Sequence, residues 1–200
     1  MKYLKKFETE NDRSAYENGE SYIEPYVSYV DGGDVHYNKP PFFCKLTLQN
    51  GDVVEIEGSG ELTQAMISGY STTCVGAEVG ELCTSIGTAA FTYCTGLTSV
   101  TIANSVTSIG NYVFQNCYNL ISAAIGSGTT SIGSNAFTGC NKLERITSLA
   151  ATAPTISAGT FYGVKTGGTL YVPIGSTRYD IWMGTGNYYL GKYNWTKVEQ

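Results

Sequence analysis

One histidine and six cysteines are the side chains in this 200-residue sequence best suited to nucleophilic, acid–base or metal-ligand chemistry. His36 lies in the turn-rich stretch GGDVHYNKP, shortly before Cys44. A thiolate activated by a nearby imidazole would form a nucleophilic pair, but no third residue in the pattern orients the ring, and a lone loop histidine is more simply solvated or locally satisfied. Cys44, Cys74 and Cys83 have neither CxxC spacing nor histidine partners, which argues against a zinc site. There is no carboxylate pair of glycosidase type and no nucleophile elbow. The segment GSGELT (58–63) has glycines ahead of a helical pattern but lacks the lysine and spacing of a phosphate loop. Catalysis needs convergent titratable groups. The chain therefore reads as non-enzymatic, with no cofactor and no metal.

The other cysteines have a different logic. Cys94, Cys117 and Cys140 close three versions of one phrase, SIGTAAFTYC (85–94), SIGNYVFQNC (108–117) and SIGSNAFTGC (131–140), which open at a 23-residue spacing on Ser85, Ser108 and Ser131. A cysteine in a fixed slot of a repeat is a small buried residue stacked coil on coil, so all six are read as reduced core thiols. The period lies within the leucine-rich-repeat range. It aligns Ile86, Ile109 and Ile132; Phe91, Phe114 and Phe137; Leu97, Leu120 and Leu143; and Val100, Ala123 and Ile146. A fifth column holds Ile102 and Ile125 and then, with a slip of one, Leu149.

Each coil needs elements that turn these columns inward. LTSVTI (97–102) ends in period-two alternation and predicts a short strand. GTAAFTYC (87–94) places Ala90, Phe91 and Cys94 at near-helical spacing and predicts one α or 3₁₀ turn opposite it. The column glycines Gly87, Gly110 and Gly133 predict a tight turn with an unusual backbone conformation.

The repeat decays at both ends, as capping coils must. Cys74, Ala77 and Val79 fall into the Leu, Val and Ile columns one period earlier. GELTQAMISGY (60–70) predicts a fuller helix stopped at Gly69. Ile156, Phe161 and Val164 continue the Ile, Phe and Cys columns after one inserted residue, placed in AATAP. TENDRSAYENG (9–19) predicts a short helix, and FFCKLTLQNGDVVEIE (42–57) a hairpin turning at Asn50-Gly51. The expected division is an α+β N-terminal capping module at 1–57, the solenoid at 58–168 and an aromatic C-terminal cap at 169–200. In that cap, LYVP predicts a strand ended by Pro173, and Trp182 and Trp195 are large enough to close the last coil.

A net charge of -5 with 14% charged residues lacks the positive field that draws proteins to nucleic acid or anionic lipid. No window is apolar for long enough to cross a bilayer, so no membrane insertion is expected. The first twenty residues lack the apolar region of a secretory signal.

The pattern SIGxxAFxxCxxLxxVxIxxxVT resembles the repeat of the BspA-like leucine-rich-repeat proteins, over about 71–165, and the ending LYVPIGSTRYDIW is similar to the tails of such arrays. The resemblance implies an α/β class fold, a short right-handed leucine-rich-repeat solenoid of parallel strands and short helical turns. It also implies display at a bacterial cell surface or outside the cell and non-enzymatic, adhesin-like binding of a protein or glycan. The alternative is a structural part of an envelope appendage or phage-like particle, an oligomer assembled through its end caps.

Candidate contact residues are those that the columns leave free. The outward strand positions Glu78, Ser99, Thr101, Ser122, Ala124 and Thr147 are mostly small, and Arg145 stands among them. Interface hot spots favour tyrosine, tryptophan and arginine. The candidate interaction surface is therefore Tyr93, Tyr112, Tyr118 and Arg145 on the coils, with Tyr179, Tyr188, Tyr189 and Tyr193 in the cap.

Overall fold

The computed structural model describes residues 41–200 and, as backbone strands, Val27–Asp31 and Asp34–Tyr37. The helix expected at 9–19 lies outside the described residues. Strands β1 (Val27–Asp31) and β2 (Asp34–Tyr37) form an antiparallel hairpin in a unit ending at Pro41, and a second compact unit runs from Phe42 to Gln200.

The second unit begins with the Asn50-Gly51 hairpin, β3 (Cys44–Leu48) and β4 (Val53–Ile56); Gly51 alone is at positive φ and donates its N–H to the Leu48 carbonyl, so the turn is not the type I′ that the Asn-Gly pair predicts, which needs both residues left-handed. After β5 (Gly60–Leu62) the chain makes one α turn, Gln64–Ile67, and one 3₁₀ turn, Ser68–Tyr70. The expected helix is thus shorter, because 60–62 is taken into a sheet. Two strands per coil follow. β6 (Cys74–Val79), β8 (Ser99–Ile102), β10 (Ser122–Ile125), β12 (Arg145–Ser148) and β14 (Thr169–Val172) lie side by side in parallel. The β3–β4 hairpin adds at one end, with β3 antiparallel to β6, and β15 (Thr196–Glu199) adds parallel to β14 at the other, giving eight strands. β7 (Cys83–Ile86), β9 (Ser108–Ile109), β11 (Ser131–Ile132) and β13 (Thr155–Ile156), with β5, make a parallel five-stranded sheet.

The third side of each coil is not the helical turn that the spacing predicted. Ala90, Thr92 and Cys94 donate their N–H groups three residues back, closing successive β-turns. Ala89, Phe91 and Tyr93 instead donate to Asn111, Val113 and Gln115 of the next coil at 2.8–2.9 Å. Ala89 and Tyr93 sit at φ 58° and 56°, in the left-handed region, which swings alternate N–H groups out of the turn and rules out a helix. Coils are therefore joined by hydrogen bonds on all three sides, and no coil can bury its interior face alone.

The columns close on one another as the period requires. Phe91, Phe114, Phe137 and Phe161 stack at centroid distances of 5.5, 5.1 and 5.8 Å, and each is fully buried. Burial of each such ring contributes about 2–3 kcal/mol relative to exposure. Cys117 and Cys140 Sγ donate to the carbonyls of Phe91 and Phe114, one coil back, at 3.1 and 3.2 Å. The column glycines have ordinary φ, contrary to the expected unusual conformation, and their role is close approach. A Cβ at Gly110 would lie 2.9 Å from the Gly87 carbonyl carbon, and one at Gly133 2.6 Å from that of Gly110.

One column differs from its prediction. Ile125 pairs with Ser148, not Leu149, and Leu149 is 50% exposed. The register does not slip here; the column accepts a serine because its hydroxyl is satisfied by Tyr179, whose OH donates to Ser148 Oγ at 2.7 Å and lies 2.9 Å from the Ala150 carbonyl. The inserted residue falls between Ser148 and Thr155, after which pairs are offset by one. Trp182 then covers Phe161 at 5.2 Å and donates Nε1–H to the Pro154 carbonyl, while Trp195 donates to that of Lys165.

Candidate binding surfaces

The described cysteines offer no nucleophile. All six are free and buried. Burial pushes the Cys44 and Cys94 thiols up to about 12 and that of Cys74 to about 11, and it raises Cys83, Cys117 and Cys140 as well. At neutral pH Cys44 is a protonated core side chain with no exposed surface. Among the described residues, no group of three or more His, Cys, Asp or Glu could hold a metal ion, and no helix is long and apolar enough to cross a membrane.

The candidate contact residues separate into three groups. Tyr179 is 1% exposed, and burial raises its phenol pKa; it is part of the core. Tyr193 is half-buried, its OH accepting from Gly163 N–H and donating to the Asn187 carbonyl. Tyr189 packs beside Gly184 and Gly186 and lines a cavity of about 180 Å³ with Trp182 and Arg178. Of the cap tyrosines named from the sequence, only Tyr188 is mainly exposed.

Tyr93, Tyr112 and Tyr118 are exposed by 55, 40 and 42% on the turn side of the coils. Two of them carry a backbone anomaly. Tyr93 (φ 56°) is followed in its column by Asn116 and then Gly139 and Gly163, while Tyr112 (φ 59°) stands in a column with Ala89, Asn135 and Gly159. For a bulky side chain this conformation is an outlier that costs about 1–2 kcal/mol. Asparagine and glycine occupy the equivalent places at lower cost. Tyr162, 51% exposed on the same side, is a further tyrosine of this group.

Arg145 leads to the third group. It opens β12 on the outward face, where its guanidinium lies 5.5 Å from the centre of the Tyr171 ring on β14. Lys165 pairs with Glu144, and these residues line one groove of 590 Å³ with Ile121, Ser122, Gly167 and Thr169. Lys165, and more weakly Arg145, hold the Glu144 carboxyl below its usual range. Tyr171 could have been found by carrying the strand columns one coil further, to Thr147↔Tyr171.

These geometries are those of a repeat scaffold with variable outward positions, and comparison with known proteins agrees. The family model described as a BspA type leucine-rich repeat region matches residues 70–179 in six copies. No curated protein and no solved structure matches the chain. The match spans more than half of the sequence and covers the coils described above, so the chain belongs to the BspA-type leucine-rich-repeat family.

Proposed function

We propose that the protein is a non-enzymatic, adhesin-like binding module, associated with a bacterial cell surface, that engages a protein or glycan through the turn side of its coils. The observation that carries this reading is the pair Tyr93 and Tyr112. Both are exposed aromatic side chains held in left-handed backbone, in columns that elsewhere use asparagine, glycine and, at one place, Ala89. Strain retained at an exposed aromatic position points to a role outside folding. Tyrosine beside asparagine, serine and threonine is also the composition of adaptable recognition surfaces. The alternative of a rigid component stacked end to end is disfavoured by the sheet edges, where β4 carries Glu55 and β15 carries Lys197 and Glu199.

The test is a screen of the purified chain against immobilised matrix proteins and glycans, repeated with Tyr93→Gly and Tyr112→Gly. Both substitutions relieve backbone strain, so the variants should fold at least as stably as the parent. Affinity should fall about tenfold or more for either, as expected of exposed aromatic anchors. Full retention of binding by the double variant would refute the reading. Protease shaving of intact producing cells tests display: peptides from 85–165 released without lysis are expected.

A further inference from the structure

A second site stands on the opposite kind of surface, the outward face of the eight-stranded sheet. We propose that the groove at Arg145 binds the carboxylate of an acidic sugar, a uronate unit within a glycan. The proposal needs the chain to be a binding module but does not need the turn side to be its binding face.

Three observations lead there. The first concerns charge. Glu144 is paired with Lys165 and feels Arg145 only weakly, through space, and no hydrogen bond or ion pair to a carboxylate or carbonyl is formed by the Arg145 guanidinium among the described residues. It rests against the Tyr171 ring, which holds its planar fork in place while leaving its N–H donors free. One uncompensated cation in the groove matches one carboxylate, bound by two parallel hydrogen bonds. It does not match a polyanion, which would need a row of cations that this acidic chain lacks.

The second concerns space. In the row of Arg145 the neighbouring strands present Ser122, Ser99 and Gly76, and in the next row Thr147, Ala124 and Thr101. Strands in register lie about 4.8 Å apart, so the short side chains on one side of Arg145 leave a trough across the sheet, and Thr169 continues the row on its other side. The groove of 590 Å³ opens at the Arg145 end of that trough.

The third concerns lining. Ser122 and Thr169 flank the guanidinium with hydroxyls, and Ile121 is the one aliphatic side chain of the groove beyond the polar and aromatic residues. Peptide anchors are aromatic or aliphatic side chains seated in apolar pockets. Beside the Glu144–Lys165 pair, this groove offers hydroxyl groups and one further cation, which suits a ligand that is itself hydroxyl-rich and singly charged per unit.

The experiment titrates the isotope-labelled full chain with a glucuronate-containing tetrasaccharide, followed by amide chemical shifts and calorimetry. Its arms are the carboxyl-reduced neutral tetrasaccharide, a glutamate-containing tetrapeptide of equal charge, and sodium acetate. The expected result is saturable binding of the acidic tetrasaccharide with shifts centred on Arg145, Ser122 and Tyr171. Affinity should drop about tenfold or more on carboxyl reduction or in Arg145→Gln, and less in Arg145→Lys, which keeps the charge but not the fork. Ser122→Glu, at a half-buried position on the trough floor, places a negative charge beside the guanidinium and should weaken binding similarly; unchanged amide spectra elsewhere confirm the fold of each variant. Equal binding of the reduced sugar, of the peptide or of acetate would overturn the assignment to a uronate, as would unchanged affinity in Arg145→Gln or no binding by the parent. Tyr93→Gly should leave uronate binding intact. A ligand that depends on Tyr93 but not on Arg145 would sink this inference and leave the turn-side reading standing.

Discussion

In the interior coils the partner of a residue is its own equivalent one coil away. Phe91 lies on Phe114, Phe114 on Phe137, and the Thr107 and Thr130 hydroxyls each donate to the threonine carbonyl one period back. In the C-terminal closure the partner is always something else. Trp182 covers Phe161 and bonds Pro154, and Tyr179 reaches into the strand column to satisfy Ser148. The interior repeats one solution, so each contact is backed by copies on either side. The closure is a single copy that meets two obligations at once, covering the last apolar face and satisfying its polar atoms.

That contrast is most exposed to failure at Trp182. Trp182→Ala should cost about 3–5 kcal/mol in urea unfolding, through lost burial and an unfilled cavity. In an array whose coils contact only their neighbours, the damage should be directional, with amide protection lost first over 145–172 and retained over 85–125. Phe114→Ala should cost a similar amount but weaken protection on both flanks. Identical protection patterns for the two variants would mean that the closure is not a separable unit.

The Tyr179–Ser148 bond sharpens the same comparison. Tyr179→Phe leaves the buried Ser148 hydroxyl without its donor and should cost about 1–3 kcal/mol. Ser148→Ala combined with Tyr179→Phe should recover part of that loss, because two missing partners cost less than one orphaned group. A double variant as unstable as the sum of the two single changes would remove the satisfied hydroxyl as the reason for a serine in an isoleucine column.

The solenoid was legible because its physics is periodic. The Ile, Phe, Leu and Cys columns follow from which residues recur at 23, the strands at 99–102 and 169–172 from the alternation in LTSVTI and the LYVP run before Pro173, and the Asn-Gly hairpin from turn chemistry. What could not be read is where one residue is rescued by another far away. Leu149 looked like the better column residue because the sequence does not display Tyr179 beside Ser148. The turn side was misread as helical because Ala90, Phe91 and Cys94 have helical spacing, whereas the left-handed residues Ala89 and Tyr93 look unremarkable without their backbone angles. The candidate surfaces were legible only in part. Exposed tyrosines stand out in the sequence, but Tyr179 and Tyr193 became structural once their hydroxyls found partners, and the groove at Arg145 needed Tyr171 brought alongside.

The interior thiols offer a pH test that begins lower than that of the closure, which contains no cysteine and whose buried titrating group, the Tyr179 phenol, has an ordinary value one unit higher, near 10. An unfolded thiol releases its proton near 9, whereas burial holds Cys94 up to about 12. Above pH 9 the folded state therefore binds more protons than the unfolded state, and stability falls as pH rises. The contribution is fully present below pH 9 and disappears progressively toward about 12. Cys94→Ala should flatten the decline by about 1 kcal/mol at pH 10, in parallel urea titrations at pH 8 and 10. An unchanged slope would show that the thiol is not protected by burial.

The smallest effect separates the first interior turn from the last. Both positions of the left-handed pair are occupied by Ala89 and Tyr93 in the first of these coils and by Gly159 and Gly163 in the last, with φ between 56° and 77° throughout. The conformation is thus dictated by the ladder between coils, and the residue type decides only what it costs. An alanine there pays about 1–2 kcal/mol that glycine avoids, set against glycine's greater loss of backbone freedom of about 0.5–1 kcal/mol. Ala89→Gly should therefore stabilise the chain by about 0.5–1 kcal/mol. Gly163→Ala should destabilise it by a similar amount, since a Cβ there meets nothing closer than 3.9 Å and strain is the sole penalty. Gly159→Ala should cost more, because its Cβ would fall 2.1 Å from Asn135 Oδ1. If Ala89→Gly destabilises, backbone entropy outweighs strain in this ladder, and the tyrosine at 93 no longer counts as a sacrifice made for binding.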